Sequence, residues 1–379
     1  MEIETNSAPQ ITETASRFAP VYRILADAIA ARTFPGCAFG VLAGGEILLQ
    51  DALGRFTYDE DARAVQPETL YDVASLTKVV STTAAAMLLY QRGQLDLETP
   101  LGELLPGFVV GRAQGERAHH VKLRHLLAHN SGLPGYVELF RTVSTPAALY
   151  RACLELPLEA EPGMRAEYSD PGFILLGKAL EVVTGEYLAP WVRREVFTPL
   201  GMNATCFCPA PAIRPLIPPT EEDTTFRKRR IQGEVQDEHA FLLKGAAGHA
   251  GLFSNVPELL RFAGEILCPV PGKGGAFATE TGRKPLFDPA TIQTFAQRQS
   301  PEGSSRALGW DTPSENSTSG HHFSPRSIGH LGFSGCSLWM DREAGIAVVL
   351  LTNRTWPDRQ NRKIRELWPV FHDAIRQAI

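Results

Sequence analysis

The sequence lacks any run of about 18 apolar residues, the stretch that predicts a membrane-spanning helix. Its first residues also lack the basic and apolar regions of a secretory leader. We therefore expect no membrane span and, on this sequence, a cytoplasmic location. A periplasmic or extracellular location is expected instead if the chain is a processed form.

Neither sign of charge dominates, since the net charge of the 379 residues is −5. The basic residues are dispersed apart from residues 227–230, Arg-Lys-Arg-Arg, which we interpret as a solvated loop. Nucleic-acid binders carry a clustered basic face, so no nucleic-acid partner is expected. The hydrophobic content of 44% allows a large buried core. The length favours two domains, or one domain with a large insertion.

The six cysteines are scattered without the spacing of a disulfide framework or a zinc knuckle. We expect them to be reduced and mostly buried. The ten histidines include no H-E-x-x-H motif, and two His-His pairs lie in polar sequence. We therefore predict no metal and no cofactor.

Apolar patterns predict strands near both ends of the chain and helices between them. Two hairpins are predicted, over residues 37–49 around Ala43-Gly44-Gly45 and over residues 337–352. Terminal helices are predicted over residues 17–32 and 361–379, and the middle helices over residues 77–91, 122–129, 147–153, 172–183, 188–197 and 256–266. Residues 209–219 hold five prolines and are expected to be irregular, while residues 269–284 are glycine-rich and expected to form a mobile excursion.

These patterns predict an α/β (α+β) fold. One antiparallel sheet is formed from both chain ends and flanked by terminal helices, and a mainly helical domain is inserted into it. The predicted sheet domain comprises residues 1–72 and 300–379, and the helical domain comprises residues 73–299. A functional site is expected at the boundary between them.

The boundary carries the motif S-x-x-K at Ser75 and Lys78, which occurs once in the chain. At the start of a helix, residues three apart share one face, so the lysine amine can reach the serine hydroxyl. A neighbouring amine can help to activate a serine nucleophile, and free N–H groups at a helix start suit a developing oxyanion. The alternative is a helix-capping serine with a lysine on a solvated face.

Two further segments contain residues suited to such a site. Tyr168 and Asp170 follow Pro162-Gly163 and precede a predicted helix. His330 and Gly332 lie in the stretch G-H-L-G-F-S-G from Gly329, which leads into the last hairpin. Closely spaced glycines would let a ligand approach the backbone there.

The order S-x-x-K, Tyr-x-Asp and His-x-Gly resembles the serine β-lactamase and penicillin-binding protein superfamily. The tyrosine makes it most similar to the group of class C β-lactamases, D-alanyl-D-alanine peptidases and family VIII esterases. Further similar segments, in family order, are L-L-A-H-N-S-G-L-P from Leu126, P-L-G-M from Pro199 and G-H-A-G-L-F from Gly248. The resemblance implies the same β-lactamase/transpeptidase-like architecture that the patterns predict.

The resemblance also implies a role for each matching residue. Ser75 would be the acylated nucleophile, Lys78 its proton-handling neighbour and Tyr168 the base. Asp170, His330 and Gly332 would line the site, and the backbone N–H groups of Ser75 and Phe333 would form the oxyanion hole. Asn130 and His249 are further candidates for contact with substrate, although a structural histidine is as well supported. As an acid, Asp170 should hold Lys78 protonated, which favours Tyr168 as the base.

The third motif departs from the usual Lys-Thr-Gly. His330 is expected to be mostly neutral at pH 7, and Leu331 cannot donate a hydrogen bond. Anionic β-lactams should therefore bind poorly, which favours an esterase that acts on a small-molecule ester or neutral amide. The alternatives are a β-lactamase, a D-alanyl-D-alanine carboxypeptidase or a muropeptide amidase. An alternative from another class is a penicillin-binding-like sensor or scaffold without turnover. No oligomeric state is predicted.

Overall fold

The computed structural model of the protein describes residues 17–113, 116–267 and 284–379. The excursion expected over residues 269–284 lies almost wholly outside them. The strands are β1 (Gly36–Ala43), β2 (Glu46–Gly54), β3 (Tyr71–Asp72), β4 (Cys206–Phe207), β5 (Pro219–Asp223), β6 (Arg229–Gln232), β7 (Leu252–Ser254), β8 (Ile328–Leu331), β9 (Ser337–Asp341) and β10 (Ile346–Thr352). Free thiols are found at five cysteines, of which three are buried, one is half-buried and one is exposed.

The helices described are α1 (Ala19–Ala30), α2 (Ala84–Gln91), α3 (Leu101–Leu104), α4 (Leu123–Leu127), α5 (Pro146–Glu155), α6 (Asp170–Thr184), α7 (Leu188–Val192), α8 (Glu238–Leu242), α9 (Val256–Leu267), α10 (Pro289–Phe295) and α11 (Ile364–Gln377). Two π-helical segments, Lys78–Thr83 and Arg193–Phe197, join this set at α2 and α7. The predicted helices are confirmed, with ends that differ by a few residues.

The main sheet has five strands in the order β2-β1-β10-β9-β8, and all its neighbouring pairs are antiparallel. The central pair joins the two chain ends, from Cys37 opposite Thr352 to Ala43 opposite Ile346. The predicted sheet built from both ends is therefore confirmed. The domain boundaries at 72/73 and 299/300 stay a prediction.

Both faces of the sheet are buried, which explains the continuous apolar sequence of β10. Val348 and Leu350 belong to a core shared with α1 and α11. Val349 and Leu351 point to the opposite face and belong to the larger core under the helical part. Successive side chains of a strand point to opposite faces of the sheet. When both faces are buried, the sequence of the strand is apolar throughout and does not alternate with polar residues.

The middle of the chain is mainly helical as predicted, but four short strands, β4 to β7, also lie within residues 73–299. Two other sequence expectations about this region were wrong. The proline-rich stretch contains a 3₁₀ helix, Pro211–Leu216, and ends in β5. The basic run is not a solvated loop, because Arg227 is buried beside Asp223 and the next residues form β6. Two- to five-residue strands depend on distant partners, so the local pattern does not reveal them.

Helix α9 covers the sheet at a glycine. A Cβ atom added at Gly40 would lie 2.5 Å from Val256 Cγ1 and 2.8 Å from Leu260 Cδ1. Contacts this short require the Val256 and Leu260 side chains, or helix α9 itself, to shift.

We predict that Gly40→Ala lowers the free energy of unfolding by about 1–3 kcal/mol because it overpacks this contact. Denaturant unfolding of the purified variant measures the loss. Val256→Ala in the same chain should recover part of it, since the smaller side chain makes room for the new methyl group. A double variant whose losses simply add would contradict this account.

Candidate active site

Ser75 lies in a tight turn between β3 and the helix that begins directly after it. Ala74 has φ +48°, a left-handed conformation that alanine rarely adopts. The Asp72 carboxylate accepts the Ala74 N–H at 2.9 Å through one oxygen and the Gln236 N–H at 2.7 Å through the other. These two bonds hold the turn, and they leave Ser75 partly exposed while its neighbours are buried.

Lys78 is completely buried, and its ammonium group donates to three separate segments. Nζ donates to Ser75 Oγ at 3.0 Å, to Asp170 Oδ1 at 2.7 Å and to the His249 carbonyl at 3.0 Å. Burial lowers the pKa of Lys78, but the charge of Asp170 and the nearby Tyr168 outweigh it, so the pKa is raised. The amine is therefore protonated at neutral pH.

The start of α6 positions Tyr168 and Asp170. Ser169 is the N-cap, and its Oγ accepts the Gly172 N–H at 3.1 Å. Its extended backbone turns successive side chains to alternate sides. Asp170 begins the helix, where the helix dipole favours a carboxylate. The sequence Tyr-Ser-Asp thus forms the start of α6, where the N-cap residue Ser169 fixes the positions of its two neighbours, Tyr168 and Asp170.

Tyr168 remains a neutral phenol at pH 7. Burial raises its pKa, against which the charge of Lys78 and the hydrogen bonds of its phenol with Lys78 and Ser75 act to lower it. Lys78 Nζ lies 4.8 Å from the ring centroid of Tyr168. A phenolate formed here would face an ammonium, which is the arrangement needed to stabilise it.

His330 lies on the edge strand β8, 5.8 Å from Tyr168 between ring centroids. Burial, followed by the charges of Lys78 and Arg306, holds its pKa well below the usual value. Its Nδ1 donates to the Leu331 carbonyl at 2.8 Å, since a carbonyl can only accept. The expectation of a neutral histidine is supported, although the sequence did not predict β8.

Protein backbone takes the space that a side chain would need at Gly332. A Cβ atom there would lie 2.4 Å from the Val73 carbonyl oxygen, and the contact of this glycine with a ligand stays a prediction. Nearby, Ser334 Oγ donates to the Asp72 carbonyl at 2.7 Å. The turn after β8 is thus joined to the segment that carries Ser75. Phe333, between them, is 40% exposed.

Asn130 and His249 lie deeper than the sequence suggested. Asn130 is buried, and its side-chain amide donates to the Ser300 carbonyl at 2.7 Å, not to Ser75 or Tyr168. The His249 ring is also buried and bonds Asp237 at 2.8 Å, while its backbone carbonyl accepts from Lys78. A direct contact of either side chain with substrate stays a prediction.

One group among the described residues could hold a metal ion. Donor atoms of Asp237, His239 and His249 lie within 4.8 Å of one another. The Asp237 oxygen bonded to His249 also accepts the Ala240 N–H at 2.7 Å as a helix cap. That oxygen is already engaged, and the absence of a metal stays a prediction.

Sequence reasoning missed two residues that support the site. Asp72 holds the Ser75 turn, and its place three residues before the serine is the signal that could have found it. His129 stacks 4.6 Å from Tyr168 between ring centroids, and its Nδ1 accepts the Ser169 N–H at 3.0 Å. The position of His129 in the family-like segment L-L-A-H-N-S-G-L-P is the signal that could have found it.

Comparison with known families decides the relationship. Residues 21–368 match the family model described as Beta-lactamase. The chain belongs to the beta-lactamase family. As in the beta-lactamase-like superfamily generally, it is a serine hydrolase, and the resemblance found in its motifs is confirmed.

Relatives of this beta-lactamase family member carry different names. A protein of Salmonella typhimurium, named as a provisional D-alanyl-D-alanine carboxypeptidase, is 29% identical over 368 residues, covering 87% of this chain and 81% of its own. Among solved structures, EstCE1, titled a hydrolase with promiscuous acyltransferase activity, has a TM-score of 0.74 at 22% identity and covers 95% and 100% of the two chains. The penicillin-binding protein homologue of Pyrococcus abyssi has a TM-score of 0.66 at 21% identity, covering 88% and 73%. These structures show the shared fold.

No helix in the described parts of this family member is long and apolar enough to cross a membrane.

We predict that Gly332→Ala lowers the free energy of unfolding by about 1–3 kcal/mol and also lowers hydrolytic activity, because the methyl group must displace the Val73 backbone beside Ser75. Thermal unfolding and kcat/KM are measured together. Ser334→Ala is the companion variant, which weakens the same contact without adding atoms. Full stability with full activity in Gly332→Ala would show that the close approach is unimportant.

Proposed function

We propose that this serine hydrolase works through an acyl-enzyme on Ser75 and that its substrates are carboxylic esters. The observation that carries the proposal is the buried ammonium of Lys78, which is hydrogen-bonded both to Ser75 Oγ and to Asp170. A lysine on a solvated face, the alternative from the sequence, has no reason to be buried and to contact the serine. Burying a charge is costly unless it is paired, so this arrangement favours a functional role.

The proton of Ser75 needs an acceptor, and we assign that role to Tyr168. Lys78 is held protonated by Asp170, which makes it a poor base but a good partner for a phenolate. In the active form the cluster has lost one proton. Tyr168 then takes the serine proton as Oγ attacks the carbonyl carbon, and returns it to the departing alkoxide.

In deacylation the same groups act again, with water as the nucleophile and Ser75 Oγ as the leaving group. Water attacks the acyl carbon while Tyr168 takes one of its protons, and that proton passes to Ser75 Oγ as the acid leaves. The net reaction is ester plus water to acid plus alcohol. No group outside the chain is required for this balance.

The backbone N–H groups of Ser75 and Phe333 are proposed as the oxyanion hole. Within residues 17–113, 116–267 and 284–379, neither amide donates to another group. The contacts of Gly332 with Val73 and of Ser334 with Asp72 support the closeness of the two segments. A donor in an oxyanion hole typically contributes about 10²–10³ in kcat.

The ester assignment rests on the charge of the third motif. His330 is neutral and its Nδ1 hydrogen is already used by Leu331, so it offers no cation. The name of the Salmonella typhimurium relative favours a second candidate, cleavage of a peptide bond before a C-terminal carboxylate. A cytoplasmic location, expected from the sequence, is checked by fractionating the cells that make the protein.

We predict that a fluorophosphonate probe labels Ser75 alone, as read by peptide mass spectrometry. Ser75→Ala should abolish labelling and lower kcat by about 10⁴–10⁶-fold. Ser144→Ala, at an exposed serine, is the control and should behave as wild type. A chelator should not change turnover. Labelling of another serine, or turnover that survives in Ser75→Ala, would reject the proposal.

We predict that Asp170→Asn moves the rising limb of the kcat/KM–pH profile to lower pH. The Asp170 charge acts to raise the pKa of both Lys78 and Tyr168. Removing that charge favours the deprotonated form of the pair, so the active form appears at lower pH whichever residue is the base. Glu167→Gln, at an exposed carboxylate, should move the limb less because solvent screens it. A limb that stays in place or rises in Asp170→Asn contradicts the assignment.

A further inference from the structure

Asp237, His239 and His249 form a cluster whose side chains have no role in the proposed reaction. Donor atoms of the three side chains all lie within 4.8 Å of one another. Asp237 and His239 lie at the start of α8, and His249 lies in the segment before β7. Two imidazoles and one carboxylate are a common ligand set for zinc. We call these three residues the Asp-His-His cluster.

The two histidine rings are buried without the hydrogen bonds that a buried imidazole normally makes. Each residue is 1% exposed. Both ring nitrogens of His239 and the Nδ1 atom of His249 have no hydrogen-bond partner among the described residues. The fourth nitrogen, His249 Nε2, lies 2.8 Å from Asp237 Oδ1. Most buried polar side-chain atoms have a partner, so three unpartnered nitrogens in two neighbouring rings point to a ligand.

The carboxylate of Asp237 connects the cluster with solvent and can still bind an ion. Its side chain is 22% exposed. Oδ1 accepts the Ala240 N–H at 2.7 Å and is bonded to His249. Within residues 17–113, 116–267 and 284–379, no hydrogen bond is found to the second oxygen, Oδ2. An ion can therefore enter from the Asp237 side and bind an oxygen that is not engaged.

The donor atoms select the kind of ion. Imidazole nitrogens suit zinc and its transition-metal neighbours, whereas magnesium and calcium prefer oxygen ligands. Two donors at about 2.0–2.1 Å from a tetrahedral zinc ion lie about 3.3 Å apart. Donors that are up to 4.8 Å apart must therefore approach one another by up to about 1.5 Å when zinc binds.

We propose that the Asp-His-His cluster binds one zinc ion and that the bound ion inhibits hydrolysis. Binding depends on the cluster alone, whereas inhibition rests on the proposed function of Ser75 and Lys78. The ion takes no part in the reaction, so the metal-free protein is the active form and a chelator leaves its turnover unchanged. The absence of a metal predicted from the sequence is thereby restricted to the reaction itself.

Two backbone contacts connect the cluster with the groups that carry out the proposed reaction. The His249 carbonyl accepts from Lys78 Nζ at 3.0 Å. The N–H of Gln236, the residue before the aspartate of the cluster, donates to the Asp72 carboxylate at 2.7 Å. Asp72 in turn holds the turn that carries Ser75. A cluster that closes around an ion moves both backbone segments, and a displacement of about 1 Å near a catalytic group can lower the rate about 100-fold.

The test titrates zinc into the full chain after treatment with a chelator and desalting. Calorimetry measures binding, and the hydrolysis of phenyl acetate measures activity. One zinc ion per chain should bind, and kcat/KM at saturating zinc should fall about 10- to 100-fold and recover when excess chelator is added. Magnesium should do neither, because it prefers oxygen ligands. No binding would overturn the inference, and binding without a fall in kcat/KM would overturn the inhibition.

His239→Phe removes a ligand while it keeps an aromatic ring against Tyr136 and Phe140, whose ring centroids lie 5.5 and 5.6 Å from that of His239. The affinity for zinc should fall by at least about 10- to 100-fold, the loss caused even by changing a residue that only supports a metal ligand. Asp237→Asn is the second variant, which keeps an oxygen to accept the Ala240 N–H and should also weaken zinc binding. The rate of each variant with zinc is compared with its own rate without zinc.

His321→Gln is the matched control for zinc binding at an exposed histidine. The His321 side chain is 77% exposed, and its Nδ1 lies 2.9 Å from a carboxylate oxygen of Asp373. Zinc affinity and inhibition should be unchanged in this variant. An equal loss of affinity in His321→Gln, or an unchanged affinity in both His239→Phe and Asp237→Asn, would overturn the inference.

The Ser75→Ala variant separates this inference from the proposed function. It should bind zinc as tightly as the wild type, because Ser75 is not a ligand. If Ser75→Ala is inactive and zinc does not bind at the cluster, the proposed function stands and the inference fails. If Ser75→Ala keeps its turnover, the proposed function fails, and the zinc titrations of His239→Phe and Asp237→Asn still decide whether the cluster binds the ion.

Discussion

The structure around the candidate site depends on a buried ammonium that must never be left without partners. Lys78 is completely buried, and its three acceptors come from the turn before its own helix, from the start of α6 and from the segment before β7. An unpaired charge in such a place costs several kcal/mol. The three segments are therefore held together by the same group that touches Ser75, so the contacts that stabilise the fold also define the geometry for the chemistry.

Around this pair the remaining groups are kept neutral. Asp170 balances Lys78, and burial together with the positive charges nearby keeps His129 and His330 uncharged. Burial keeps Tyr168 protonated in the resting protein. The candidate site therefore holds one paired charge among groups that carry none.

Much of this could be predicted from the sequence, and the failures have a common cause. The hairpins and long helices follow local periodicity, and the S-x-x-K spacing brings Ser75 and Lys78 together within one turn of helix. The short strands β3, β4 and β7 exist because distant segments pair, which local pattern does not report. The close packing at Gly332 is not visible in the local sequence either, because the Val73 carbonyl that fills its Cβ space lies far away in sequence. Arg306 belongs to no motif, yet its guanidinium lies 5.2 Å from the ring centroid of Tyr168, on a segment that pairs with β8 through Asp311 and Gly329.

The pairing of β1 with β10 also governs how the protein can be made. About 300 residues separate the two strands, so at 5–20 residues per second a ribosome takes roughly 15–60 s to supply the partner of the first hairpin. During translation Phe39 and Val41, which are fully buried in the finished core, have neither β10 nor α11 to cover them. Local helices can form early, but the main sheet cannot be completed until β8, β9 and β10 have been synthesised. The first hairpin therefore has an unpaired strand edge and an uncovered apolar face for most of translation, the two conditions that favour aggregation.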